Sequence, residues 1–109
     1  ASKVKSLDYK QQALQKEADN GKLILQNQLQ NAFQQYNQNL SQYNYYKSIA
    51  LPNAEIIIST AKVGFKSGDI GYIEYLQALQ TATDVQLNYL QSVNALNQSI
   101  VNINFLTNK

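Results

Sequence analysis

Few side chains in this sequence could do chemistry, and the acidic residues are the first to consider. The chain contains no histidine and no cysteine, which excludes imidazole and thiolate ligands and nucleophiles. Glu74 and Asp84 are the only acids inside the helical pattern that follows the glycine-rich stretch 64–71. Glu74 is either a solvated acid near the positive end of a helix or a carboxylate at a constriction, and the residues alone favour the first reading. We find no catalytic constellation and expect no enzyme activity, no cofactor and no metal site.

The tyrosines do not indicate a nucleic-acid interface. The formal net charge is +2 and only 15% of the residues are charged, whereas a platform that stacks single-stranded bases needs interleaved cations. Around Tyr43–Tyr46 the only cation is Lys47. We therefore expect no nucleic-acid partner and assign the tyrosine rings to helix–helix interfaces.

Apolar residues after the glycines recur with alternating spacings of three and four, which predicts a long helix with a coiled-coil seam. Four further apolar residues widen this face, which favours more than one neighbouring helix. The predicted seam consists of Tyr75, Leu79, Ala82, Gln86, Tyr89, Val93, Leu96, Ile100 and Ile103, and the widening residues are Leu76, Leu87, Leu90 and Val101.

The residues before the glycines show the same spacing in two phases that meet at Leu25. Such a slip reads as a stutter within one helix, although Asn20-Gly21 could be a true turn. Pro52 is expected to kink this helix near Ile49 to Leu51, and the alternative is a break with a restart at the proline. The first stripe is Val4, Leu7, Gln11, Leu14, Ala18, Gly21 and Leu25, and the second is Leu25, Leu29, Ala32, Tyr36, Asn39, Tyr43, Tyr46, Ala50, Asn53, Ile57, Thr60 and Gly64.

A sharp reversal is predicted between the two helical patterns. Gly68 suits the left-handed position after a helix end, and Asp69 is expected to cap the next helix. The connection is short enough to require an antiparallel pair. The predicted fold is all-α, a single helical hairpin over 1–109 with helix A at about 3–66, a turn at 66–70 and helix B at about 70–107. Residues 1 to about 26 would overhang, and Asn39, Asn53, Gln86 and Asn97, in or beside the seam, could set the register.

The stretch 51–106 resembles the C-terminal helical hairpin of the TolC-like outer-membrane efflux family, and the likeness covers roughly residues 25 to 107. The family pattern has a Leu-Pro, alanines, an aromatic residue three before a turn glycine, an acid early in the next helix, an alanine, a Tyr-Leu and a late asparagine. The matching residues are Leu51-Pro52, Ala54, Ala61, Phe65, Gly68, Glu74, Ala78, Tyr89-Leu90 and Asn97. The Leu-Pro-x-Ala element looks most like the heavy-metal branch of the family, the partners of resistance-nodulation-division (RND) cation pumps.

The resemblance implies a segment of a trimeric channel in the periplasm of a Gram-negative bacterium. Such hairpins stand side by side as an α-barrel below the outer membrane, in a channel or a pump fusion, and work with a periplasmic adaptor and an inner-membrane RND pump. By the same resemblance, Glu74 falls on an acid of the channel entrance, Gln77 where a second acid can stand, and Ile70 where a locking arginine can stand. The residues of the tip that would contact the adaptor are Lys66, Ser67, Gly68 and Asp69.

The sequence contains none of the family's outer-membrane β-strands and no secretory signal, so we expect a fragment that cannot transport anything alone. The isolated chain is expected to associate with itself, as a dimer that forms a four-helix bundle. A rival interpretation is a generic coiled-coil stalk that oligomerises without any transport role. A stalk is expected to keep a narrow two-position stripe, whereas the broad apolar face favours the barrel.

Overall fold

The computed structural model describes residues 2–108 and shows a long helical hairpin. Helix α1 spans Ser2–Tyr45, a short π-helical segment spans Tyr46–Ala50, α2 spans Leu51–Ser67 and α3 spans Tyr72–Thr107. Within the described residues there is no β-strand. The rod measures 97 × 20 × 15 Å, and α3 packs antiparallel along α1 and α2. The predicted all-α hairpin is confirmed, with a turn that lies one to two residues later than expected.

Helix α1 continues without interruption through Asn20 and Gly21. The alternative of a turn at this pair is therefore wrong. A methyl group added at Gly21 would meet no atom within 4 Å, so this glycine makes no close approach that would explain its presence.

The π-helical segment explains how the first helix accommodates Pro52. A proline has no N–H to donate to the carbonyl four residues back, and its ring crowds that carbonyl. Here the Leu51 N–H bonds to the Tyr46 carbonyl, five residues back, so the turn before the proline is widened by one residue. The backbone stays helical on both sides, and the alternative of a break and restart is not what the structure shows.

This widened turn rotates the following residues by about one position, which corrects the predicted seam. Asn53, Ile57 and Thr60 were expected in the seam, yet all three are exposed. Ala54 and Ala61 are buried in their place. Periodicity counted at 3.6 residues per turn could not include the extra residue that the π turn absorbs.

The two helices meet through small side chains. No large side chain is fully buried among the described residues, and the largest apolar ones lie on the flanks. Small residues let two helix axes approach more closely than leucines would allow. In α3 the predicted seam residues Gln86 and Ile100 are exposed, while Val85 is half-buried and Ser99 is buried. The buried residues are Ala32, Ala50, Ala54, Ala61, Ala82, Ser92 and Ser99.

Among the described residues, Asn39 is the one predicted register residue that makes a hydrogen bond from α1 to α3. Its Nδ2 donates to the Ala95 carbonyl at 3.3 Å and to the Ser99 Oγ. Ser99 Oγ in turn donates to the Ala95 carbonyl. The other three predicted register residues, Asn53, Gln86 and Asn97, are exposed.

Residues 2–24 form an overhang, the part of α1 that extends beyond the end of α3. Every residue of this segment is exposed. At about 1.5 Å per residue the overhang is roughly 34 Å long. Over the described chain, no helix has the combination of length and apolar character needed to cross a membrane.

Candidate functional site

The hairpin tip holds most of the residues that the sequence singled out, and its backbone is fixed by a glycine. Gly68 has φ 83° and ψ 5°, a left-handed conformation that other residues adopt only with strain. The Gly68 N–H bonds to the Phe65 carbonyl at 3.2 Å, and the Asp69 N–H bonds to the Gly64 carbonyl at 2.8 Å. These two bonds form the Schellman motif that closes α2.

Asp69 does not cap α3, so that prediction is wrong. The N-cap residue of α3 is Gly71, whose backbone is extended at φ −85° and ψ 174° and which makes no side-chain cap bond. Asp69 lies two residues before this position, in the turn that closes α2, where its N–H bonds to the Gly64 carbonyl. Its carboxylate Oδ2 instead accepts a hydrogen bond from the Ser67 Oγ at 3.0 Å, which orders the exposed side of the tip.

Ile70 seals the inside of the turn against Gly64. Its N–H donates to the Gly64 carbonyl at 3.2 Å. A Cβ built on Gly64 would lie 3.3 Å from the Ile70 Cγ1. A larger residue at position 64 would therefore push Ile70 away from the helix.

An aromatic cluster joins the two helices directly behind the turn. The Phe65 and Tyr75 rings are stacked with centroids 5.0 Å apart and an interplanar angle of 15°. The Tyr72 ring is tilted by 53° to the Phe65 ring, with centroids 6.0 Å apart. Stacked pairs of this kind contribute about 0.5–1.5 kcal/mol beyond their buried area, so the cluster adds to the antiparallel closure that Gly68 permits.

A groove of about 610 Å³ runs along one side of the tip, and we call it the tip groove. Its lining combines isoleucine and valine side chains with the two acids of the tip. Glu74 is in the first turn of α3, where the unpaired N–H groups of the helix favour a negative charge. The lining residues are Ile56, Ile57, Thr60, Ala61, Val63, Gly64, Asp69, Ile70, Glu74 and Ala78.

The remaining predicted site residues lie outside this groove. Lys66 is exposed in the last turn of α2, and Gln77 is exposed on α3. The Gln77 carbonyl accepts a hydrogen bond from Thr81 Oγ1. Of the three entrance candidates, the tip groove thus brings together Glu74 and Ile70, while Gln77 points elsewhere on the helix.

The side chains of the tip are suited to binding another molecule through surface contacts. Across residues 2–108 no group of three or more acidic side chains is arranged to hold a metal ion. Two carboxylates beside apolar side chains can attract a cation loosely or accept hydrogen bonds from a partner, and the groove can receive apolar side chains.

No protein-family model, curated protein or solved structure matches this chain.

Two features of the site are absent from the sequence-based interpretation. The aromatic cluster of Phe65, Tyr72 and Tyr75 was not predicted as a unit, although the three residues flank Gly68 on both sides of the turn, and this spacing is its signal. The Ile70–Gly64 contact has no sequence signal, since it depends on the backbone path from Gly68 to Gly71.

Proposed function

We propose that this hairpin is a wall segment of a tubular helical assembly, the periplasmic α-barrel of a TolC-like channel in a cation-efflux system. The chain would do no chemistry of its own, and cations would pass along the assembled wall. The main support is the placement of the large apolar side chains, which lie outside the seam between the two helices.

An outer stripe on α3 carries this argument. Its members fall in three groups, at 73–76, 87–90 and 101–105, and all are exposed, with Leu90 at 60%. The positions that continue the spacing between the groups are polar: Gln80, Thr83, Asn94 and Asn97. Clusters of large exposed apolar side chains mark surfaces that a partner covers, so a neighbouring helix is the natural cover. The outer stripe consists of Ile73, Leu76, Leu87, Leu90, Val101 and Phe105.

The first arm of the hairpin also exposes large apolar side chains. Ile49, Ile56 and Val63 recur every seven residues along the π segment and α2, and they are exposed at 55%, 63% and 68%. A hairpin with uncovered apolar residues on both of its helices offers two surfaces to neighbouring hairpins. That is the condition for a closed ring of hairpins, whereas a two-chain stalk needs only one seam.

The tip is consistent with the entrance of such a tube. Glu74 is exposed at the start of α3, within the tip groove that also contains Asp69. In a ring of hairpins these carboxylates would repeat around the opening. A ring of acids favours cations over anions.

The test is a change of charge at the tip in the channel that contains this hairpin. We expect Glu74→Gln to lower the preference for cations over anions in planar bilayers, because each hairpin loses one negative charge at the entrance. Glu55→Gln removes the same charge from an exposed position on α2 and is the matched control. Equal behaviour of the two variants would contradict the role of Glu74, and failure of the parent protein to conduct ions would contradict the channel.

A generic coiled-coil module remains the second candidate because of one observation. The overhang keeps a narrow stripe, in which Val4, Leu7 and Leu14 alternate with polar positions. This pattern is typical of an autonomous coiled coil. A chain whose assembly depends on the overhang and not on the outer stripe would favour that candidate.

A further inference from the structure

We propose that neighbouring copies of this chain make the core of their contact at a charge-free band, in the half of the hairpin that lies away from the tip. The charge-free band is residues 23–46 and 85–108, which contain no lysine, arginine, aspartate or glutamate. This inference deepens the proposed wall and rests on it, because it names the level of the hairpin at which the neighbours pack.

The two segments of the band lie side by side, although they are far apart in the sequence. The ring of Tyr43 is stacked on the ring of Tyr89, with centroids 6.0 Å apart. Towards the tip, Lys47 follows Tyr43 by four residues and Asp84 precedes Tyr89 by five. Charges therefore resume on both arms at the same level, about 6–8 Å beyond the tyrosine pair. A limit shared by two distant segments indicates a property of that level of the hairpin.

Amide side chains replace the charges within the band. Asparagine and glutamine make up twelve of the residues 23–46 and nine of the residues 85–108, against three of the residues 47–84. About a quarter of the residues of an average protein are charged, so two segments of this length would ordinarily carry about a dozen charges. Charged side chains are favoured on surfaces that face water, whereas a surface that another protein covers strips each charge of its hydration. The depletion of charge therefore favours a covered surface.

The band also exposes large apolar side chains on both of its helices. Depletion of charge together with exposed aromatic residues is the composition of the core of a protein interface, and charged residues belong to its rim. The half nearer the tip has the composition of a rim, because its exposed Ile56 and Val63 directly follow Glu55 and Lys62. The exposed apolar residues of the band include Phe33, Leu87, Leu90, Val101 and Phe105.

The amides make the band complementary to an identical surface. A primary amide both donates and accepts hydrogen bonds, so a surface covered with asparagine and glutamine can bond to a copy of itself. A closed ring places the same residue of every copy at the same height, where like charges would repel each other. The partner that the band fits is therefore the band of a second copy at the same level.

Two glutamines of α3 test the level of the contact. Gln77 and Gln91 are both exposed, and each directly follows a leucine of the outer stripe. Gln91→Glu puts a charge into the band with little change in the shape of the side chain. We expect it to weaken association by about tenfold or more in sedimentation equilibrium, because the charge loses its hydration in the contact. Gln77→Glu makes the same change nearer the tip and should remain within about threefold of the parent chain.

The first arm of the hairpin offers a second matched pair. Asn37 lies four residues after the exposed Phe33, and Asn53 lies four residues after the exposed Ile49. Both asparagines are exposed. Asn37→Asp, within the band, should weaken association by about tenfold. Asn53→Asp, outside the band, should change it by less than about threefold.

The salt dependence of association is an independent measurement. Between about 50 and about 500 mM NaCl the association constant of the parent chain should change by less than about threefold, because contacts between uncharged groups are not screened. A steep weakening with salt would place the contact in the charged parts of the chain and overturn the proposal. Circular dichroism should show unchanged helix content in all four variants, because the substituted side chains are exposed.

The outcomes distinguish this inference from the proposed wall. If the variants nearer the tip weaken association as much as the variants in the band, the contact runs evenly along the hairpin. The charge-free contact is then overturned and the wall is not. Association that neither Gln91→Glu nor Asn37→Asp weakens also overturns the charge-free contact. A chain that stays monomeric at high micromolar concentration contradicts the wall and, with it, this inference.

Discussion

Gly68 is the residue on which the hairpin depends most directly, and the neighbouring Gly71 provides its control. We expect Gly68→Ala to lower the free energy of unfolding by about 1–2 kcal/mol, since it forces a Cβ into the left-handed region. Gly71 has negative φ and open space around it. Gly71→Ala should therefore cost less than Gly68→Ala, because the entropic gain of about 0.4–1 kcal/mol from replacing a glycine offsets the poorer N-capping by alanine.

Urea denaturation followed by circular dichroism measures both glycine variants. Equal losses of stability would mean that the turn does not depend on the φ of 83° at Gly68. Gly64 differs from both, because a side chain there would displace Ile70.

At this scale the sequence predicted the turn glycine but not the cap. A glycine between two helical patterns is interpretable because almost no other residue tolerates its conformation. Asp69 had the right chemistry for a cap and the wrong place, because the Schellman turn after α2 delays the start of α3 to Tyr72. A hydrogen bond between backbone atoms has no side-chain signature to read.

Among the elements, the π-helical segment can be tested directly, because removing its extra residue should change the free energy of unfolding. Deleting the exposed Ser48 would turn the widened turn into ordinary α-helix and keep Ala54 and Ala61 in the seam. Pro52 would then crowd the carbonyl of Lys47, so we expect a loss of about 3 kcal/mol in unfolding free energy. Adding Pro52→Ala to the deletion should recover most of that loss.

The control for this pair of variants is a deletion that no widened turn can absorb. Removing the exposed Asn37 together with Pro52→Ala rotates the residues before it by about 100° out of the seam, and it should stay destabilised in the same urea experiment. If deleting Ser48 alone costs nothing, Pro52 is not the reason for the π segment.

The helices themselves could be predicted from spacing, and the phase after the proline could not. A proline disturbs any helix, yet the result ranges from a kink to a widened π turn that contains one extra residue. Here the small side chains of Ala50, Ala54 and Ala61 fit the rotated phase, and alanines are weak signals in a pattern that counts large apolar residues. The same weakness hid Ser92 and Ser99, which are polar by type and buried by position.

For the whole molecule, the outer stripe predicts side-by-side association. We expect the chain to form dimers that pair two hairpins, and Leu90→Asn to weaken them by about tenfold, since it places an amide in the covered stripe. Sedimentation equilibrium measures this, and circular dichroism should show unchanged helix content, because Leu90 is exposed within the hairpin. Leu23→Asn is the matched control, because it changes a leucine of similar exposure, 56%, that lies outside the outer stripe.

The outcomes for the two stripes separate the assemblies. Association that survives Leu90→Asn but not Leu14→Asn would place the contact at the overhang alone. Dimers sensitive to both substitutions would indicate that hairpins pair along their sides and at their ends. A chain that stays monomeric at high micromolar concentration would contradict the wall.

The small-residue seam has a thermodynamic consequence. Among the described residues no large side chain is fully buried, so a single hairpin buries little apolar surface when it folds. The heat capacity change of its unfolding is correspondingly small. Its stability then varies weakly with temperature and has no pronounced maximum. A sharp melting transition is then expected only of the assembly, in which neighbouring hairpins cover the isoleucines and leucines that a single hairpin exposes to solvent.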